Sequence, residues 1–209
     1  MVTATSRRFP ARTLACVIPV VAAAIAVAGC QSGSPAASHS DEPAGPVPAA
    51  HLLAARQAPA GWHLLTLPDG KAVLAYPPAM HRIEGDSGTV SAARVSSSGG
   101  YVLYLNATPK QSKESLSDWP DFRIEHLTDE DASTARLLAA SHGVRFLGGT
   151  GTCVIDTYVT KIKAHHYTEL ACFVRGKTGS SVIIAAALSA DWKSDSAMLM
   201  RAVAAYRVR

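Results

Sequence analysis

Three β-rich runs follow one another late in the chain, Thr152 to Ile162, Tyr167 to Arg175 and Ser181 to Leu188, and they restrict the fold more than any other feature. The last of them, from Val182 onward, is apolar on both faces, as suits a central strand covered on both sides. Gly176 to Ser180 divide the second run from the third, so the three read as a meander. Two hairpins are expected upstream. Trp62 to Leu67 and Ala72 to Tyr76 flank Pro68, Asp69 and Gly70, a strong turn signal, and Pro77 and Pro78 stop the second strand because neither donates to a ladder. Thr89 to Val95 and Tyr101 to Ala107 flank the Ser and Gly tip 96–100.

Between hairpins and meander the pattern turns helical. Ser117 and Asp118 precede Trp119 and Pro120, which predicts a short helix with proline in its first turn. A second helix is expected with Thr128 as its cap, Asp129, Glu130 and Asp131 at the positive end of its dipole, Leu137 and Leu138 as its apolar surface and Gly143 as its stop. Ser194 or Asp195 should cap a closing helix in which Leu199, Ala202, Val203 and Tyr206 share one side. Strands, helices, strands and a helix, in that order, argue for an α+β fold, an antiparallel sheet flanked by helices.

The first fifty residues are of another kind. Arg7, Arg8 and Arg12 precede an uncharged stretch from Leu14 to Ala28, the pattern of an export signal and too short to span about 30 Å of hydrocarbon. Val27, Ala28 and Gly29 lead into Cys30 and resemble the lipobox of bacterial lipoproteins, which implies a signal peptide over 1–29 and a lipid on the Cys30 sulfur. The lipidated Cys30 and residues 31–50, rich in Ser, Pro, Ala and Gly, then form a disordered linker, and 51–209 is left as one domain. Losing three arginines takes Lys plus Arg from 20 to 17 against 16 acids, a formal charge of +1 instead of +4. The remaining Lys and Arg are scattered singly, which excludes a nucleic-acid partner.

With Cys16 in the signal and Cys30 lipidated, Cys153 and Cys172 are the pair left for a disulfide outside the cytoplasm. Facing residues of an antiparallel pair have a constant sum. A sum of 325 sets Cys153 against Cys172, but also Asp156 against Glu169, where carboxylates repel, and the two-residue turn taken to accompany it, Ile162 and Lys163, lacks Gly or Asn. A sum of 329, with a loop from Lys163 to His166, displaces Cys172 from Cys153 by about 13 Å and excludes the bond. The sequence admits both registers.

Sharper site readings do not gather support. His165 and His166 are adjacent, and adjacent strand residues point to opposite faces, so no metal ligand is assigned. There is neither a G-x-S-x-G elbow nor an H-E-x-x-H pattern, and no catalytic residue or cofactor is assigned. Trp62, Trp119 and Trp192 stand near element ends, where core packing is the commoner fate.

The opening hairpin around Trp62 and Tyr76, the meander from Cys153 to Leu188, and Asp191 and Trp192 before the last helix together resemble the PsbP-like fold of small lipoproteins from GC-rich Gram-positive bacteria, the LpqN kind among them. The resemblance implies an α-β-α sandwich serving as a non-enzymatic binding or accessory module of the cell envelope, lipid-anchored at the outer face of the cytoplasmic membrane. Its partner would be an envelope protein or a small hydrophobic ligand. An envelope hydrolase is the alternative, favoured if polar groups converge in a concave pocket.

Overall fold

The structure, a computed structural model, describes residues 53–130 and 132–209. The signal segment, Cys30 and the linker 31–50 lie outside them. In chain order the strands are β1 (His63–Thr66), β2 (Ala72–Tyr76), β3 (His81–Ile83), β4 (Val90–Val95) and β5 (Tyr101–Pro109). Helix α1 (Trp119–Glu130) follows, then β6 (Ala132–Phe146), β7 (Gly149–Thr160), β8 (His166–Arg175), β9 (Ser180–Leu188), helix α2 (Trp192–Ala204) and β10 (Arg207–Val208).

Both early hairpins and the late meander form as their turn residues and alternation dictate. Seven strands pair antiparallel in the order β3-β4-β5-β9-β8-β7-β6, and β1, β2 and β10 make a smaller sheet. Alternation divides the large sheet into two faces. Leu103, Leu105, Ile155, Leu170, Val174 and Ile183 point to one face, where they pack with Leu199 and Val203 of α2 and Leu74 of β2. On the other face Val154, Ala171, Phe173 and Val182 receive Trp119 of α1, whose indole N–H donates to the Ala171 carbonyl at 3.0 Å. The result is the expected sheet flanked by helices.

The second predicted helix is instead the edge strand β6. Its pairing with β7 shifts register between Ala132 and Thr134, between Leu137 and Ala139, and between Ser141 and Val144. Each bulge adds a residue and reverses which side the next ones face, so the period of two is lost and the apolar spacing imitates a helix. Gly143, with φ of 68°, serves such a bulge and stops no helix. Thr128 lies inside α1, its hydroxyl donating to the carbonyls of Ile124 and Glu125. Asp129 and Glu130 therefore occupy the negative end of the dipole, and Lys161 Nζ compensates by donating to their carbonyls at 2.8 and 3.0 Å.

The closing helix begins earlier than expected. Asp191 is its N-cap residue without a side-chain cap bond, and Ser194 donates its hydroxyl back to the Asp191 carbonyl. Tyr206 lies beyond the helix, buried, its hydroxyl donating to Ser181 Oγ at 2.8 Å.

Candidate functional site

Pairing of β7 with β8 follows the sum of 325: Cys153 faces Cys172, Asp156 faces Glu169 and Tyr158 faces Tyr167. Chain reversal is achieved by a four-residue turn, Lys161 to Ala164, closed by Thr160 N–H donating to the His165 carbonyl at 2.9 Å. Lys163 and Ala164 take positive φ values of 63° and 47°, a strained conformation for residues with a Cβ. Thr160 holds the turn: its hydroxyl donates to the Ile162 carbonyl and accepts the His165 N–H. Cys153 and Cys172 form a disulfide in the apolar face, and neither is a free thiol.

The same register buries two carboxyl groups face to face on the α1 side. Asp156 is fully buried and Glu169 is 1% exposed. Arg123 of α1 meets them, its Nε and Nη2 both 2.7 Å from Glu169 Oε1. Both oxygens of Asp156 and Oε2 of Glu169 are left without a partner. Burial, then the Glu169 charge, push the Asp156 carboxyl up to about 8, with Arg123 opposing. Asp156 is thus a neutral acid at neutral pH, where one guanidinium balances one carboxylate. Burial works against the charge on Arg123, but Glu169 more than offsets it and raises the pKa above the ordinary arginine value.

Helix α1 covers the β6 side of this face and leaves the β5 side open. Between them lies a cavity of about 760 Å³, within the range of small-molecule sites. Arg123, Glu169 and Tyr158 meet it from the covered side, and Tyr104 and Asn106 of β5 from the open side. Its mouth is bordered by the turn at Ile162 and the hairpin tip at Gly100. The Tyr158 and Tyr167 rings stack at 5.4 Å between centroids, and Tyr101 and Tyr104 at 5.5 Å. Burial raises the hydroxyl pKa of both Tyr158 and Tyr104, so they remain neutral donors. Asn106 donates to Ser91 Oγ at 2.9 Å, which fixes its amide in the wall.

His165 borders the mouth, edge-on to Tyr167, while His166 is exposed on the strand. Among the described residues no three His, Cys, Asp or Glu side chains are grouped to hold a metal. Trp119 is a core residue. Trp62 is half-buried and borders a separate groove of about 600 Å³ with Met198 and Met200. Arg123 escaped the reading of the sequence, yet it had a signal: Trp119, Arg123 and Leu127 are the buried stripe of α1 at steps of four. A charge on such a stripe demands a buried partner.

No family model matches the chain, and no curated protein sequence does. Among solved structures it is similar to the solution structure of cyanobacterial PsbP, CyanoP, from Synechocystis, with a TM-score of 0.52 at 11% identity over 73% of this chain and 95% of that one. The fold is PsbP-like. A Pseudomonas aeruginosa protein of unknown function described as a putative regulator (TM-score 0.39, 9% identity, 68% of this chain and 94% of that one) and one from Bacteroides thetaiotaomicron (0.40, 13%, 70% and 48%) align less well. Within the PsbP-like frame the disulfide belongs to the sheet's sealed face and the cavity to its open one.

Proposed function

We propose that this chain is a lipoprotein of the LpqN kind, cleaved before Cys30, lipidated there and held at the outer face of the cytoplasmic membrane through the linker 31–50. Its domain, residues 51–209, is a non-enzymatic envelope module that binds a small ligand in the cavity beside α1. The observation that carries the binding reading is the floor of that cavity, where a buried ion pair leaves a carboxylate oxygen free. The converging polar groups shift the expected ligand from hydrophobic to polar. They also meet the condition set for a hydrolase, but the threonine hydroxyls that border the cavity are turned to backbone carbonyls and not to a base. Those of Thr89, Thr108 and Thr160 donate to the carbonyls of Asp86, Pro109 and Ile162, whereas nucleophilic catalysis needs a base beside the hydroxyl.

Two measurements test the parts separately. Cys30→Ala should leave an unprocessed precursor without lipid, read by mass and cell fractionation; a variant still processed and equally membrane-bound refutes the anchor. Native mass spectrometry of the chain purified from its membrane should show a bound small molecule. A chain that carries none, and takes up none from a broad set of polar compounds, refutes the cavity's role.

A further inference from the structure

Among the described residues, the buried side-chain polar atoms without a partner number three, and all three are carboxyl oxygens: Oδ1 and Oδ2 of Asp156 and Oε2 of Glu169. The one donor among them is the proton that Asp156 keeps, one hydrogen against three oxygens. A buried acceptor left open costs free energy until something donates to it, and of the two carboxyls it is Glu169 that lines the cavity, so the floor has room for a donor to its Oε2. Arg123 does not supply it: its Nε and Nη2 both go to Oε1 of Glu169.

Charge narrows the class further. The groups facing Asp156 are Glu169 of β8, Arg123 of α1 and Tyr158 of β7 itself, while β6 opposes it with Leu137. With one guanidinium and two carboxyls, the empty site can keep only one carboxyl ionised without a buried net charge. A neutral donor would fill the hydrogen bond and leave this restriction in place. A cation fills the bond and lifts the restriction together. The walls suit such a body: Tyr101, Tyr104, Tyr158 and Tyr167 bring four tyrosine rings to the cavity, and ring faces attract cations. Of the bordering lysines, Lys161 is already held by the carbonyls at the end of α1 and Lys163 is exposed on the turn.

We propose that the cavity takes an organic cation, an ammonium group on a small aromatic or aliphatic body, with the charged nitrogen donating to Glu169 Oε2 and the body between the tyrosine rings. The inference rests on the cavity being a ligand site and names the chemistry it selects. Binding is coupled to proton release. The ammonium stays protonated, Asp156 gives its carboxyl proton to solvent, and the complex holds two carboxylates against two cations. Affinity should therefore rise with pH through the range in which the empty site gives up that proton.

Benzylamine, benzyl alcohol and benzoate share a ring and differ in charge, and they serve as probes of the full chain. Calorimetric titration at about pH 6.5 and about pH 8.5, in buffers of different ionisation enthalpy, should show benzylamine binding at least about tenfold tighter than the alcohol. About one proton should leave per amine at the lower pH. Glu169→Gln should abolish the preference for the amine. Should that variant not fold, Tyr104→Leu in the wall still tests the idea and should reduce the preference severalfold. Benzyl alcohol or benzoate binding as tightly as benzylamine, or amine binding with no proton released, overturns the ligand class and leaves the cavity's role standing. Failure of every probe, with no compound retained from the membrane, overturns both.

Discussion

The two faces of the seven-stranded sheet are built from alternate residues of the same strands, yet they are opposites. Toward α2 the strands present Leu105, Ile155, Leu170, Cys172 and Ile183, and the layer above seals them. Toward α1 they present Asn106, Asp156, Glu169 and Ile184, and the helix covers half. Among the described residues the unpartnered buried side-chain oxygens, those of Asp156 and Glu169, all lie on the second face. A sheet thus separates stability from chemistry by parity alone, since stepping one residue along a strand changes the face. The substitutions that follow ask whether that separation is real.

Arg123→Ala should have the largest effect. It strands Glu169 as an uncompensated buried charge, and such losses cost about 3–5 kcal/mol. Chemical denaturation measures it, and a cost no greater than that of a surface substitution would show that the polar face is not held by this pair. Replacing Cys153 and Cys172 together by alanine should cost about 3 kcal/mol, as expected for bridging residues 19 apart. Because the bond lies in the sealed face, ligand affinity at the cavity should not change; a change would break the division between faces.

Asp156→Asn should act in the opposite direction. Folding lifts this carboxyl from its ordinary value to about 8, so between those limits the folded chain keeps a proton that the unfolded chain has released. Its contribution to stability is complete below the unfolded value and is lost as pH rises toward about 8. An amide cannot ionise. The variant should therefore be more stable near pH 8 by about 1–3 kcal/mol, with a flatter stability curve from about pH 4 to 8. A parent whose stability does not fall over that interval would place the shared proton elsewhere.

Much of the sealed face was legible, because it is written in alternation: Cys153, Ile155 and Leu170, Cys172, Val174 advance by two, as core strands should. Strand β6 was not, since three bulges erase the period that identifies a strand. The register of β7 and β8 was nearly legible. The sum of 325 was correctly tied to facing cysteines, but it was also tied to a two-residue turn. Thr160 facing His165 keeps the same sum around four residues. That arrangement depends on the Thr160 side chain and on two positive φ values at Lys163 and Ala164 that no composition rule demands. The open face was least legible, because its site joins a helix to strands distant in sequence. Asp156 facing Glu169 weighs against the register if both are charged, though in that register the two also offer a carboxylate pair of shifted pKa. Carboxylates repel only while both are charged, and Arg123, on α1, was the missing third group.

The small sheet carries one more consequence, for the order in which the molecule can be completed. Strand β2 lies between β1, its immediate neighbour in sequence, and β10, whose Arg207 pairs with Val73 across most of the domain. The same segment ties the turns together: Val208 N–H donates to the Leu147 carbonyl, and the Arg209 carbonyl accepts from Thr178. Pairing over so long a separation is slow to form. The first hairpins join residues close together in sequence, but the layer over the sealed face is complete only when 207–209 have paired with β2 and the turns. The segment is thus a clasp, and the disulfide, buried in the same apolar face as Val208, is shut away from exchange only once that clasp has closed.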